Sequence, residues 1–117
     1  MASLKDLFKN VLDTYPEALR SYKAPQKDFT VCQTLIQIAG VLEDACQSVG
    51  FRTIRVRPSW GLGRWNPTPW VAFLDERITT TTQKAFYPVF LFRFDGSGVY
   101  LSLDLGTGRA KNLQKER

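Results

Sequence analysis

Histidine is absent from this 117-residue chain, and with it go the commonest general base and the commonest metal ligand. Cysteine is scarce: Cys32 and Cys46 are too few for a four-thiolate zinc site or a disulfide framework. No apolar run nears the roughly 20 residues a membrane-spanning helix needs. The charged stretch from Met1 to Lys9 stands where a signal peptide would place an apolar one. A soluble cytoplasmic domain with no membrane partner is the expectation. Nucleotide fingerprints are also missing. No Gly-x-x-x-x-Gly-Lys-Ser/Thr occurs, and Gly61-Leu-Gly63 runs into a proline-containing loop where a phosphate-binding motif requires a helix. Serines and threonines have no imidazole to activate them. Asp75 and Glu76 could be grouped with Asp95 and Asp104 as a magnesium site, but Asp95 belongs to a turn and no lysine stands in support. No catalytic residue, metal or cofactor is therefore assigned.

Acidic residues are missing from one long window, Ala45 to Leu74, which holds Arg52, Arg55, Arg57 and Arg64. The net charge of +5 sits wholly in the second half: residues 1–50 carry five basic and six acidic groups, residues 51–117 eleven and five. Arginine presents a planar fork suited to phosphate oxygens and base edges. A solvent-facing strand edge kept soluble by charge would look similar.

The first half reads as helix. Ser3 is placed to cap a helix whose apolar face is Leu4, Leu7, Phe8, Val11 and Leu12. Tyr15-Pro16 is expected to end or kink it, with Glu17 to Tyr22 as a separate short turn and Lys23 to Asp28 as a loop. A second helix is expected from about Thr30 to Val49, its stripe formed by Val31, Leu35, Ile38, Ala39, Leu42, Ala45, Cys46 and Val49, with Gly50 at its C-cap. On that helix the two cysteines lie about 21 Å apart, too far to bridge, and read as buried reduced thiols. After Gly50 the period changes to 2. Residues 51–57 form a strand with Ile54 and Val56 inward. Pro58 to Pro69 is a loop, Trp70 to Leu74 a short strand, and Asp75 to Ala85 a polar connection containing the Thr79–Thr82 run. Tyr87 to Phe94 and Val99 to Leu105 are two more strands, joined by the Asp95-Gly-Ser-Gly98 hairpin. The fold class is α+β: two N-terminal helices packed on one face of a mostly antiparallel sheet of about four strands. One domain spans 1–108, helical over 1–50 and sheet over 51–108, and 109–117 reads as a linker or truncated C-terminal segment.

Trp60, Trp65 and Trp70 fall within eleven residues, beside the arginines. Core packing accounts for some large rings. A loop of glycines, prolines and tryptophans can equally present flat rings to a nucleobase while arginines hold phosphates. That physics points to nucleic acid and does not choose DNA over RNA.

Phe51-Arg-Thr-Ile-Arg-Val-Arg-Pro-Ser-Trp-Gly-Leu-Gly-Arg-Trp65, then Thr68-Pro-Trp-Val-Ala-Phe-Leu74, then Phe86-Tyr-Pro-Val-Phe-Leu91 together resemble the N-terminal DNA-binding domain of McrB-like subunits of McrBC modification-dependent (type IV) restriction systems. The likeness covers about Phe51 to Gly108; residues 1–50 match only in being helical. It implies a non-enzymatic reader that flips 5-methylcytosine or 5-hydroxymethylcytosine out of double-stranded DNA. The reader would target a GTP-dependent restriction complex whose McrC-like nuclease subunit engages a GTPase domain outside this chain. Carried over by position, Trp70 and Tyr87 would sandwich the base and Leu91 would pack near the modified edge. Trp60, Gly61, Leu62 and Gly63 would form the loop that enters the hole left by the base, with Leu62 at the tip where an aromatic is expected. Arg52, Arg55, Arg57 and Arg64 would neutralise phosphates. Two plainer readings compete: Trp70 and Tyr87 as core aromatics, and Leu91 as a residue packed under the helices. Two other functions stay open, a reader of RNA or of another modified base, and a protein-interaction module using the Trp-rich loop.

Overall fold

The structure, a computed structural model, describes residues 3–81, 86–93 and 95–105. Thr82, Phe94 and the expected linker 109–117 lie outside the described residues. Helices α1 (Leu4–Ser21) and α2 (Thr30–Ser48) precede strands β1 (Ile54–Ser59), β2 (Trp70–Asp75), β3 (Phe86–Phe92) and β4 (Val99–Leu105). The strands lie in the order β1-β2-β3-β4 with every neighbour antiparallel. The α+β expectation therefore holds.

α1 starts where its sequence says it should. The Ser3 hydroxyl accepts from the Asp6 N–H at 3.2 Å, and the Asp6 carboxylate accepts from the Ser3 N–H at 3.3 Å. This reciprocal pair satisfies two donors that a helix start leaves open. The expected break at Tyr15-Pro16 does not occur: α1 runs through Pro16 to Ser21. An interior proline costs about 3 kcal/mol and frees the carbonyl four residues earlier. Packing on both sides of the proline offsets that cost, because Tyr15 and Ala18 are both buried. The freed carbonyl of Leu12 faces the β3–β4 hairpin, where a Cβ on Gly96 would come within 2.5 Å of it. Gly96 also has φ +78°, so glycine suits this contact twice over.

Leu7, Val11, Tyr15 and Ala18 of α1 meet Val31, Cys32, Leu35, Ile38 and Ala39 of α2 over the inner face of the sheet, where Val56, Val71 and Phe92 close the core. Phe8 packs edge-on against Phe90 and Phe92 at 5.3 and 5.4 Å. The α2 stripe is shorter than its periodicity suggests. Ala45 and Val49 are exposed and Cys46 only half-buried, so of the two expected buried thiols only Cys32 is one. β1 begins at Ile54 rather than Phe51, because the Phe51 N–H is drawn back to the Cys46 carbonyl at 2.9 Å. The β1 edge is capped from α2, where Glu43 accepts the Val56 N–H at 2.9 Å.

Alternation then assigns the outer face. Register pairs Arg55 with Leu74, Arg57 with Ala72 and Ser59 with Trp70. Trp70 pairs with Leu91 and Ala72 with Val89, and Tyr87 pairs with Asp104. Residues two apart share a face, so these side chains all belong to the side away from the helices. Ala72, Leu74, Tyr87 and Val89 form a second buried cluster there, with Trp70 and Leu91 packed against it.

Candidate nucleic-acid interface

The β1–β2 loop is a closed ring of chain. The Asn66 N–H bonds the Trp60 carbonyl at 2.8 Å, while Gly61 and Gly63 take φ +104° and +76°. Gly61 has no substitute: an added Cβ would overlap the Arg64 carbonyl and lie 2.6 Å from the Asn66 nitrogen. The neck of the loop is clamped by α1. The Tyr15 hydroxyl donates to the Asn66 carbonyl at 2.5 Å and also lies 3.4 Å from the Trp60 carbonyl. The Trp65 indole N–H donates to the Tyr22 carbonyl at 3.1 Å. Trp65 meets Tyr15 edge-on at 5.2 Å and stacks on Phe29 at 6.2 Å. Burial pushes the Tyr15 phenol far above its ordinary value, helped by nearby Cys32, so it remains a hydrogen-bond donor at any physiological pH.

Trp65 is a core residue, so the expectation of a loop displaying its rings is corrected for it, while Trp60 is half-buried against the same core. What projects is Leu62, 99% exposed, flanked by exposed Gly63 and Arg64. An apolar side chain held fully in water on a clamped loop has the form of a wedge. Residues 15 and 22 were not singled out as functional in the sequence. Their one advance signal is that a buried indole or phenol must find a hydrogen-bond partner.

Trp70 and Leu91 stand opposite each other at the loop end of the outer face, both half-buried. Leu91 therefore does not pack under the helices. Tyr87 lies four residues along β3 on the same face and is buried, 7% exposed. Burial and then the Asp104 carboxylate opposite it raise its phenol pKa. Asp104 in turn accepts from the Ser102 hydroxyl at 2.9 Å. The structure thus joins Trp70, Leu91 and Tyr87 in one cluster, with Tyr87 at its far end.

The four arginines are not brought together. Arg55 pairs with Glu76 at 3.3 Å and Arg57 with Glu43 at 3.5 Å. Arg52 precedes β1, at the end of that strand away from the loop, and Arg64 is on the loop itself. The carboxylates weighed as a metal site are dispersed too. Asp75 is gripped by Arg77 at 2.6 Å, which holds its carboxyl well below the usual range. Asp95 caps the hairpin turn through the Ser97 N–H. Among the described residues no group of three or more acids or cysteines is placed to hold a metal ion. Among them, too, no helix is long and apolar enough to cross a membrane.

A separate apolar groove of about 510 Å³ opens between the C-terminal end of α2 and β3–β4, lined by Cys46, Phe51, Phe73, Phe86, Phe90 and Leu101, among others. It lies on the inner side of the sheet, away from Trp70.

The family described as MrcB-like, N-terminal domain matches residues 10–117. No curated protein matches the sequence.

Proposed function

The chain belongs to the family of MrcB-like N-terminal domains, a recognition module with a DNA-binding role, and from that premise we propose that it reads modified cytosine in duplex DNA by base flipping. The observation that carries the reading is the pairing of a clamped loop, whose tip Leu62 is 99% exposed, with the half-buried Trp70–Leu91 pair at the same end of the sheet. Ser59, the last residue of β1, is the register partner of Trp70, so the loop rises directly beside that pair. Leu62 would occupy the space vacated by the base, and the base would be received over Trp70 and Leu91. Extruding a base costs a few kcal/mol, and stacking on an aromatic ring returns about 1–3 kcal/mol. A cytosine methyl group buried against Leu91 adds about 0.8 kcal/mol, so the fit of the base against Trp70 and Leu91 would carry most of the discrimination. Tyr87 is already buried in this cluster, where it would support Trp70 and Leu91. In a restriction system such a domain would deliver a GTPase subunit and its McrC-like nuclease partner to modified DNA, without chemistry of its own.

The test is binding of matched duplexes containing cytosine, 5-methylcytosine or 5-hydroxymethylcytosine at one fixed salt concentration, with Trp70→Ala alongside. Tighter binding to a modified duplex, lost in a Trp70→Ala protein that still folds, is expected. Equal binding to all three reduces the reading to a basic DNA-binding surface. A protein-interaction role is favoured by one observation, the apolar groove at Phe51, Phe86 and Leu101; it predicts no DNA binding by the parent.

A further inference from the structure

Two of the four arginines in the acid-free window are spoken for by carboxylates, Arg55 by Glu76 and Arg57 by Glu43. Arg52 lies beyond the far end of β1, about 17 Å of strand from the loop. Arg64 is the one of the four next to the exposed tip, and among the described residues it makes no ion pair. It also faces a second source of positive charge that the charge pattern along the chain conceals. Between the loop and the C-terminal end of α1 runs a groove of about 560 Å³, lined by Arg20, Ser21, Tyr22, Lys23, Arg64 and Trp65, with Leu19 beneath. No acidic side chain lines it. The nearest carboxylate in sequence, Glu17, is occupied by Arg20 at 2.7 Å and the Ser21 hydroxyl at 2.9 Å, so that pair is neutral. Lys23 and Arg64 remain, two exposed cations with no ion pair among the described residues. The Tyr22 carbonyl would repel an anion, but it is already bonded by the Trp65 indole.

We propose that this groove seats the DNA backbone next to the step entered by Leu62, with Lys23 and Arg64 contacting phosphates. The inference rests on the DNA-binding reading and adds to it a footprint on the helical half of the chain. The geometry supports it because the loop neck is bonded to α1 through Tyr15 and Trp65. The groove walls and the wedge therefore belong to one rigid body, and a duplex penetrated by Leu62 lies against both walls. Arg20 stays with Glu17 and is not counted.

Each phosphate contact contributes about 0.9 to the slope of log K against log salt on duplex DNA. Lys23→Ala and Arg64→Ala should each flatten the slope by about 0.9. Each variant then loses about 3.5-fold less affinity than the parent between 50 and 200 mM salt, by the same slope. Both should keep the parent's ratio of modified to unmodified binding, and Arg64→Lys should keep the parent's slope. Lys9→Ala, whose lysine pairs with Asp13 on α1 at 3.0 Å, should leave the slope alone. Lys23 and Arg64 are exposed, so a folding defect is not expected, and a thermal melt of each variant checks this. A parent that binds DNA while Lys23→Ala leaves its slope unchanged overturns the groove and spares the function. A Lys9→Ala effect as large as that of Lys23→Ala overturns the groove as well, since general charge would then account for both. A parent that binds no duplex overturns both readings.

Discussion

Replacing Leu62 by alanine separates the wedge from the fold. The side chain is 99% exposed, so its truncation removes almost no contact from the folded protein. Unfolding free energy should stay within about 0.5 kcal/mol of the parent. Bound to DNA, the same side chain would exchange water for the faces of neighbouring bases. Truncation removes three carbon groups worth about 0.8 kcal/mol each when fully buried. Allowing for partial burial, the loss is about 2 kcal/mol, or roughly 30-fold in affinity. Fluorescence anisotropy with a labelled duplex containing 5-methylcytosine reads the affinity, and urea denaturation reads the stability. Leu62→Met keeps the apolar volume and should bind within a few-fold of the parent. The reasoning is refuted if Leu62→Ala binds within twofold of the parent, for then the tip does not enter the duplex. A stability loss above about 1 kcal/mol would refute it differently, by showing that the tip is held by the protein and is no free wedge.

Two further outcomes follow from the buried groups behind the loop. Tyr15→Phe removes the donor to the Asn66 carbonyl from a site that is 1% exposed; stability should fall by about 1–3 kcal/mol, and duplex affinity should fall beyond the unfolded fraction because the loop neck is released, both read on the same titrations. Burial, then nearby Asp28, pushes the Cys32 thiol up to about 11, whereas an unfolded thiol titrates near about 8.5. Since the folded pKa is the raised one, the associated stability is complete below about pH 8.5 and is lost as pH rises through about 11, about 3 kcal/mol in all. Denaturation midpoints from pH 8 to 11 should decline more gently in Cys32→Ala than in the parent, with the phenol of Tyr15 adding its own decline only above its ordinary value.

The parts of this molecule that were readable along the chain are those whose cause is local. A capping serine ahead of an apolar face, a period of 3.6 in residues 4–15 and a period of 2 after Gly50 each state a backbone geometry without reference to anything distant. The start of β4 at Val99 follows from the hairpin glycines just before it. Local reasoning fails where a distant contact outweighs it. Pro16 is tolerated because Tyr15 is anchored to a carbonyl 51 positions away. Trp65 is drawn into the core by a carbonyl 43 positions away, a separation that no periodicity registers. The same two bonds explain why the helical half looked unrelated to the loop. A wedge needs an apolar tip in water, which opposes folding, and so its stiffness has to come from elsewhere in the chain. Trp60 and Trp65 supply it by turning inward, and α1 supplies it by presenting Tyr15 and the Tyr22 carbonyl. Once α1 holds the loop, Lys23 at its end stands beside Arg64, and the basic surface next to the tip is shared between two segments. Counted along the chain, Lys23 belongs to the half with net charge −1; counted in space, it belongs to the loop.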